Sequence, residues 1–301
     1  MMLFFDLNNL ACAGTPNWTP RPFDWLTLLA QRNRFSKNPP TFPPQSDHAM
    51  ASVHLKIRDK TVAARILVFD KDGTLIDFHQ IWGPRLVRGG DQLKQAMSLS
   101  DDFLAHLYRA AGYDPATGLT YGQGPLATAP IRQFETIVAS VLFQQGISWD
   151  EACQLSEKHM TAQMTAPPAD TEIIPRGNVA RAMDALKAAG CALAVATTDN
   201  RLASESAIKR LGIDGLLSDL RCGDDQGPVK PDIGVLNEIA HSQGLAPSDL
   251  IMVGDTVSDL IMARNAKAVL AVGILGGAGS ESQLRPYADV LIESIEEIQP
   301  A

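Results

Sequence analysis

The chain has 301 residues, of which 45% are hydrophobic and 20% charged, with a formal net charge of -8 and a sequence pI near 5.2. A chain of this length and composition can bury a sizeable core, as one large domain or two smaller ones. The acidic balance argues against a nucleic-acid or anionic-membrane partner, since either would require a clustered basic face. An anionic ligand would have to be held locally, by a metal ion or by a few well-placed cations.

The cysteines predict a reducing location. Cys12, Cys153, Cys191 and Cys222 are scattered without CxxC spacing, which favours neither a disulfide framework nor a zinc site. No apolar run has the length of a membrane span. The opening MMLFFDLNNLACAG lacks a basic n-region and carries Asp6 inside its apolar stretch, so we do not expect a secretion signal. We therefore expect a cytoplasmic protein.

Residues 1–60 differ in composition from the rest of the chain. Seven of the 19 prolines lie among the first 50 residues, and KNPPTFPPQSDHAM has no periodicity that a helix or strand would use. We interpret residues 1–60 as a flexible, proline-rich N-terminal extension.

From Val62 onward, the pattern alternates between strands and helices. The run ARILVFD is short, rich in β-branched residues and typical of a strand buried on both faces of a parallel sheet. Further strands are predicted in CALAVAT, GLLSDLRCG, DLIMVGD and AVLAVGIL, with helices in VARAMDALKAAG, SESAIKRLG, PDIGVLNEIAHSQG and SDLIMARNA, and ADVLIESIEEI completes the pattern. This alternation predicts an α/β fold with a doubly wound parallel sheet.

A helical insert separates the first predicted strand from the others. Its segments GGDQLKQAMSLSDDFLAHLYRAAG, APIRQFETIVASVLFQQG and SWDEACQLSEKHMTAQM have helical spacing, and Ser148 followed by Glu151 predicts a capping box in the last of them. We interpret residues 79–170 as an inserted all-helical domain, and residues 61–78 and 171–301 as the α/β core.

Polar residues follow three of the predicted strands, in FDKDG, VATTDN and VGDTVSD, and a lysine lies in the loop GPVKPD. The carboxyl ends of parallel strands meet at one edge of a doubly wound sheet, where ligands bind. Any one of these residues alone would fit a turn or a helix N-cap. Their shared placement predicts one functional site containing Asp70, Asp72, Thr197, Thr198, Lys230, Asp255 and Asp259.

These motifs resemble the four motifs of the haloacid dehalogenase superfamily. DKDGT at Asp70–Thr74 is similar to the first, Thr197 in LAVAT to the second, Lys230 in VKPD to the third, and GDTVSD at Gly254–Asp259 to the fourth. The resemblance covers about residues 62–298. It implies a Rossmann-like core with a C1-type helical cap, and the sequence is most similar to the phosphoglycolate phosphatase-like branch.

The resemblance also implies a role for each matched residue. Asp70 would be the nucleophile that forms an aspartyl-phosphate, and Asp72 the general acid and base. Dehalogenating members lack an acid at the position of Asp72 and ion-pumping ATPases have Thr there, so Asp72 favours phosphate-ester chemistry. Thr197, or Thr198 if the strand ends one residue later, would hold phosphoryl oxygens, and Lys230 would neutralise negative charge.

Two acids that share one side of a strand end repel each other unless a cation lies between them. Mg²⁺ suits this position because it prefers hard oxygen ligands. The ligands implied by the resemblance are the Asp70 carboxylate, the Asp72 backbone carbonyl and Asp255, with Asp259 orienting waters or Lys230. Gly73 is expected to support the turn that leaves the strand.

The sequence therefore predicts a Mg²⁺-dependent phosphatase of a small phosphorylated metabolite, similar to phosphoglycolate. The alternatives are a phosphomutase of the same fold, resembling β-phosphoglucomutase, and a binding protein without turnover. Arg85 and Arg88 in WGPRLVR would either bind a second anionic group of the substrate or be solvated helix residues. His79 and Trp82 are close enough to the first motif to line the cleft, although Trp82 would also fit a packed position at a hinge.

Overall fold

The computed structural model describes residues 51–301. Residues 1–50 of the predicted extension lie outside the described residues. The described strands are, in chain order, β1 (Val53–Ile57), β2 (Lys60–Ala64), β3 (Ile66–Phe69), β4 (Tyr113–Asp114), β5 (Leu119–Thr120), β6 (Ala192–Ala196), β7 (Asp219–Arg221), β8 (Leu250–Gly254), β9 (Leu270–Ile274), β10 (Val290–Ile292) and β11 (Ile298–Pro300).

The described helices are, in chain order, α1 (Trp82–Met97), α2 (Asp101–Ala111), α3 (Pro125–Thr128), α4 (Ile131–Gln144), α5 (Trp149–Leu155), α6 (Ala162–Thr165), α7 (Val179–Ala188), α8 (Arg201–Leu211), α9 (Gly234–Ser242), α10 (Val257–Asn265) and α11 (Glu281–Leu284). A π-helical turn at Ser156–Thr161 joins α5 to α6. Among these described helices, none combines the length and the hydropathy needed to cross a bilayer.

The central sheet has the strand order β10–β9–β8–β3–β6–β7, and every neighbouring pair is parallel. Because side chains alternate along a strand, Leu67 and Phe69 enter one apolar cluster while Ile66 and Val68 enter another on the opposite face. Helices α7 and α8 contribute to the first cluster, and α9 and α10 to the second. Helices thus cover both faces, which confirms the predicted doubly wound parallel sheet.

Residues 53–60, which the sequence assigns to the flexible extension, lie in ordered structure. Strands β1 and β2 form an antiparallel hairpin, and β1 also pairs with β11. Leu55 and Ile57 are fully buried, because VHLKI alternates polar and apolar residues with the period of a strand. The predicted extension is therefore wrong for these residues. A five-residue alternation carries too little signal beside the proline-rich segment before it.

Helices α1 to α6 lie between β3 and β6 in the sequence, and they share an apolar core of their own. Phe103, Leu107, Val138 and Leu142 are fully buried in this core. Helix α5 begins directly after Ser148, as predicted, but Ser148 makes no side-chain capping hydrogen bond. The division into a core and a cap at residues 79 and 170 remains a prediction.

The insert is not entirely helical, because β4 and β5 form a short antiparallel pair within it. The turn between them is built by DPATG. The Asp114 carboxylate accepts hydrogen bonds from the Ala116 N–H and the Thr117 hydroxyl, and Gly118 adopts a φ of 73°. Local side-chain bonds of this kind favour a turn over a continuing helix.

Candidate active site

The predicted site residues lie at the carboxyl ends of adjacent strands. Asp70 follows β3, Thr197 follows β6 and Asp255 follows β8, and β3 lies between the other two strands. Lys230 reaches the same edge from the loop before α9, where its ammonium donates to the Ala196 carbonyl at 3.1 Å. The parallel strand order therefore brings residues from four separate parts of the chain together.

Three buried carboxylates meet at this edge. Asp70, Asp255 and Asp259 each place an oxygen within 4.8 Å of the others. Burial raises the pKa of Asp70 well above its usual value; Lys230 opposes this rise, while the charges of Asp259 and Asp255 add to it. Burial, followed by repulsion from Asp259, raises the pKa of Asp255 to about 6. Such a cluster of like charges requires compensating positive charge.

Lys230 supplies part of that charge. Its Nζ lies 2.5 Å from Asp70 Oδ1 and 2.6 Å from Asp259 Oδ1, and the side chain is buried. Burial alone would lower the pKa of Lys230, but the charges of Asp259 and Asp70 outweigh it and raise that pKa above its ordinary value. Lys230 therefore stays protonated and fixes the Asp70 carboxylate by a charge-assisted hydrogen bond.

Asp255 is held by neighbours on both sides. The Thr74 hydroxyl donates to Asp255 Oδ1 at 3.2 Å, and the Ala278 N–H donates to Oδ2 at 2.7 Å. The Ala278 contact comes from the glycine-rich loop GGAGS after β9, which the sequence analysis does not include in the site. Its signal in the sequence is weak, because a glycine-rich loop alone does not indicate which side chain it contacts.

Gly73 and Gly277 allow the backbone to approach this carboxylate closely. A Cβ at Gly73 would lie 2.1 Å from Asp255 Oδ2, and a Cβ at Gly277 would lie 2.3 Å from the same oxygen. Gly73 also adopts a φ of 90°, a left-handed conformation that side chains disfavour. Both a turn and a close contact thus require glycine at position 73.

Asp259 connects the site to the start of α10. Its Oδ2 accepts hydrogen bonds from the Thr256 hydroxyl at 2.7 Å and from the Thr256 N–H at 3.3 Å, and the Thr256 hydroxyl accepts from the Asp259 N–H. This reciprocal arrangement is a capping box. Because the other oxygen faces Lys230, Asp259 ties the lysine ammonium to a helix end.

Lys71 is a buried cation that the sequence analysis did not assign to the site. Its Nζ lies 2.7 Å from Asp72 Oδ2 and 3.0 Å from Asp199 Oδ2, and the side chain is almost completely buried. Burial opposes a charge here, but Asp199 and Asp72 outweigh it and raise the pKa of Lys71 above its ordinary value. The signal in the sequence is Lys71 itself, since a lysine two residues beyond an apolar strand requires an anionic partner when buried.

Asp72, Thr197 and Thr198 all line the cleft above these acids. Strand β6 ends at Ala196, so Thr197 is the first residue beyond it. Its hydroxyl oxygen accepts a hydrogen bond from the Asp199 N–H at 3.1 Å. The structure places both threonines in the lining of the cleft that also contains Asp70.

Arg85 and Arg88 do not fulfil the predicted anion-binding role, and Arg85 is not solvated either. Arg85 is buried and donates to Glu172 at 2.9 Å and to the carbonyl oxygens of Met164 and Ala166. Arg88 donates to the other oxygen of Glu172 at 2.7 Å, and neither arginine lines the cleft. Their shared partner lies more than 80 residues away in the chain, which the local sequence could not indicate.

The cleft over the site encloses about 730 Å³, counting its open mouth. Trp82 lines it, as predicted, and its ring centroid lies 6.0 Å from Lys71 Nζ. His79 is not part of the lining; its Nε2 lies 3.2 Å from the Gly277 carbonyl oxygen. Helices α1, α3, α4 and α6 supply wall residues, while the ends of β3 and β6 supply the floor.

Comparison with known proteins gives the family. A model of haloacid dehalogenase-like hydrolases matches residues 64–267. The phosphoglycolate phosphatase of Agrobacterium fabrum is 27% identical over 238 residues, which cover 78% of this chain and 91% of the relative.

Solved structures share the fold at low sequence identity. A predicted phosphoglycolate phosphatase from Haemophilus somnus has a TM-score of 0.55 at 18% identity, covering 78% of this chain and 96% of its own. A proposed β-phosphoglucomutase from Thermotoga maritima has a TM-score of 0.53 at 16% identity, covering 77% of this chain and 95% of its own. At these identities the likeness shows the fold alone. The family match spans the acids that follow β3 and β8, and by that match the chain belongs to the haloacid dehalogenase-like hydrolases.

Proposed function

We propose that the protein is a Mg²⁺-dependent phosphatase that hydrolyses a small phosphomonoester through an aspartyl-phosphate on Asp70. The observation that carries the proposal is the Asp70 carboxylate, buried at the floor of the cleft and fixed by Lys230 at 2.5 Å, with the Asp72 side chain lining the same cleft. Membership of a hydrolase family supports the reaction class.

In the first step, an Asp70 carboxylate oxygen attacks phosphorus while the bond from phosphorus to the ester oxygen breaks. Asp72 donates a proton to the departing oxygen, which leaves as an alcohol. In the second step, Asp72 takes a proton from a water molecule as that water attacks phosphorus. The aspartyl-phosphate bond breaks, inorganic phosphate leaves and the Asp70 carboxylate is restored.

Lys230 and the residues after β6 assist without forming covalent bonds. Lys230 neutralises charge on Asp70 and on the transferring phosphoryl group. The hydroxyl of Thr197, or that of Thr198, binds phosphoryl oxygens as charge develops on them. Removal of one preorganised donor of this kind costs roughly 2.7 to 4 kcal/mol of barrier.

The residues at the sheet edge fit a magnesium ion. Carboxylate oxygens of Asp70 and Asp255 lie within a group whose members are less than 4.8 Å apart, in a buried setting where burial and mutual repulsion raise both pKa values. These two carboxylates and the Asp72 backbone carbonyl would hold Mg²⁺, which takes oxygen ligands. When bound, the ion would neutralise the carboxylates and the phosphoryl oxygens.

The first test is phosphate release from an aryl phosphate by the purified chain in Mg²⁺. We expect Asp70→Asn to lower kcat by at least about 1,000-fold, because an amide cannot form the aspartyl-phosphate. The control is Asp184→Asn, which makes the same chemical change at an exposed residue of α7. Wild-type turnover that persists in Asp70→Asn would contradict the proposed nucleophile.

The phosphomutase alternative has one supporting observation, the shared fold with a proposed β-phosphoglucomutase. A mutase would pass the phosphoryl group to a second substrate hydroxyl instead of to water. Free phosphate as the product supports the phosphatase, and an isomerised sugar phosphate supports the mutase. The absence of turnover on a broad panel of phosphoesters would favour a binding protein.

The expectation of a phosphoglycolate-like substrate rests on the resemblance and on the name of the Agrobacterium fabrum relative. The reaction class does not depend on it, because the attacking carboxylate and the proton donor act on the phosphoryl end of any monoester.

A further inference from the structure

We infer that the substrate carries an uncharged, largely apolar leaving group, so that the protein prefers phosphomonoesters of neutral alcohols to phosphoglycolate and other carboxylated esters. This inference rests on the proposed phosphatase function and specifies its substrate class. It is drawn from the chemistry of the cleft walls, above the residues assigned to the phosphoryl group.

The part of the cleft beyond the acids is lined by large apolar side chains. They come from the segment after β3 and from α1, α3, α4 and α6, and they are Phe78, Trp82, Leu126, Ile131, Phe134 and Met164. Ligand-binding clefts lined in this way bind apolar groups, because contact with the walls removes apolar surface from water.

The same walls offer no free cation for a substrate carboxylate. Among the lining residues within 51–301, the basic side chain is Lys230, which already contacts Asp70 and Asp259. Lys71 lies outside the lining and is paired with Asp72 and Asp199. Asp72 and Asp199 both line the cleft. A second anion on the substrate would therefore lie near their carboxylates and would find no free cation with which to pair.

The arginines of α1 do not fill this gap. Arg85 and Arg88 both donate to Glu172, and Arg85 also donates to two backbone carbonyls. Moving either guanidinium toward the cleft would break its bond to Glu172, and moving Arg85 would also leave two backbone carbonyls without their donor. For the buried Arg85 this loss is costly, so the arrangement favours a substrate that needs neither arginine.

Two hydroxyl groups of the wall, on α3 and α6, are also poorly suited to an anion. The Thr128 hydroxyl donates to the Gly124 carbonyl at 3.0 Å, and the Thr165 hydroxyl donates to the Thr161 carbonyl at 2.8 Å. Their protons are therefore already used, and the oxygens remain as acceptors. Such groups can accept a hydrogen bond from a neutral hydroxyl, whereas a carboxylate has no proton to donate.

The extent of the apolar wall agrees with its chemistry. The large apolar side chains come from the segment after β3 and from four helices. The glycolate part of phosphoglycolate has only two carbons and would leave most of this wall uncovered. A longer or aromatic leaving group would cover more of it.

The test compares two esters that differ in one charge. The full chain with Mg²⁺ is given n-hexyl phosphate or the analogue with a carboxylate at the far end of the same carbon chain, and kcat/KM is measured for each. We expect the neutral ester to be preferred by at least about tenfold. An equal or higher kcat/KM for the carboxylated ester would overturn the inference while leaving the phosphatase function intact. Failure of both esters while the aryl phosphate is hydrolysed above the Asp70→Asn background would overturn the inference alone. Failure of all three would overturn the proposed function and the inference together.

The second arm of the test places a positive charge in the apolar wall of the cleft. Leu126→Arg supplies a free guanidinium, and we expect it to shift the ratio of the two kcat/KM values toward the carboxylated ester by about tenfold or more. Leu119→Arg is the matched control, since Leu119 is exposed and lies outside the lining, and its ratio should equal that of the wild type. Ala127→Lys, at a smaller lining residue, repeats the test if Leu126→Arg fails to fold. An unchanged ratio in a folded wall variant would contradict the inference.

Discussion

At the scale of single residues, Lys71 is the least expected member of the site. Its ammonium lies between the carboxylates of Asp72 and Asp199, with Trp82 beside it. Asp72 is assigned to proton transfer, so the group that holds its carboxyl in place controls the geometry of that step. If Asp72 transfers the proton as proposed, Lys71 acts as a positioning residue, through Asp72 rather than on the substrate.

We predict that Lys71→Met lowers kcat by about 10- to 100-fold and lowers the free energy of unfolding by about 3–5 kcal/mol. The reason is that two largely enclosed carboxylates, 11% and 6% exposed, would lose their shared cation. Phosphate release and chemical denaturation measure the two effects, with Lys187→Met, an exposed lysine of α7, as the control. The double variant Lys71→Met/Asp199→Asn removes one of the two acids together with the cation. If its free energy of unfolding is no higher than that of Lys71→Met, then the charge argument is wrong.

At the scale of elements, α1 is tied to the segment by which the chain returns to the sheet. Glu172 accepts hydrogen bonds from Arg85, Arg88 and the Ala169 N–H. Burial opposes the charge on Glu172, but these donors outweigh it and lower its pKa to about 2. The chain leaves the sheet through α1 and returns to it through residues 166–173. The hydrogen bonds of Glu172 therefore join the segment that enters the helical insert to the segment that leaves it.

We predict that Glu172→Gln lowers the free energy of unfolding by about 1–3 kcal/mol near neutral pH. Because the folded pKa is below the ordinary value of 4.5, the charged carboxylate stabilises the fold above about pH 4.5, and this contribution is lost as the pH falls toward 2. The difference between wild type and Glu172→Gln, measured by urea unfolding, should therefore shrink between pH 6 and pH 3. Glu157→Gln, at an exposed residue, should show no such pH-dependent difference.

At the scale of the whole molecule, the acid cluster opposes folding whenever its charge is uncompensated. Asp70 lies far along the chain from Asp255 and Asp259, and folding brings the three acids together out of water. A cation that binds only this assembled site stabilises the folded state by mass action.

We predict that saturating Mg²⁺ raises the melting temperature by about 5–10 °C, which corresponds to a metal concentration near 100 times its Kd. Asp255→Asn should remove most of this shift, because it takes away one proposed ligand, whereas Asp184→Asn should keep it. Differential scanning calorimetry with and without EDTA measures the shift independently of turnover. An equal shift in Asp255→Asn would exclude Asp255 as a ligand.

The sequence predicts the sheet and the edge where the site lies, because buried β-branched runs and strand-end polar residues depend on local pattern. It does not predict the partners that tertiary contacts select. The pairing of Lys71 with Asp199 depends on β3 ending at Phe69, after which side-chain alternation no longer applies. The burial of Arg85 depends on Glu172, and the fixing of Asp255 depends on Ala278, both distant in the chain.

The Ala278 contact bears on how the protein should be divided for study. The stretch that the family model matches ends at residue 267, before the loop whose N–H holds Asp255 and before β11, which pairs with β1. A fragment cut at the limits of similarity would keep every residue of the four motifs and still lack the backbone that orients one of them. We therefore expect the smallest active fragment of this chain to be longer than the stretch that the family model matches.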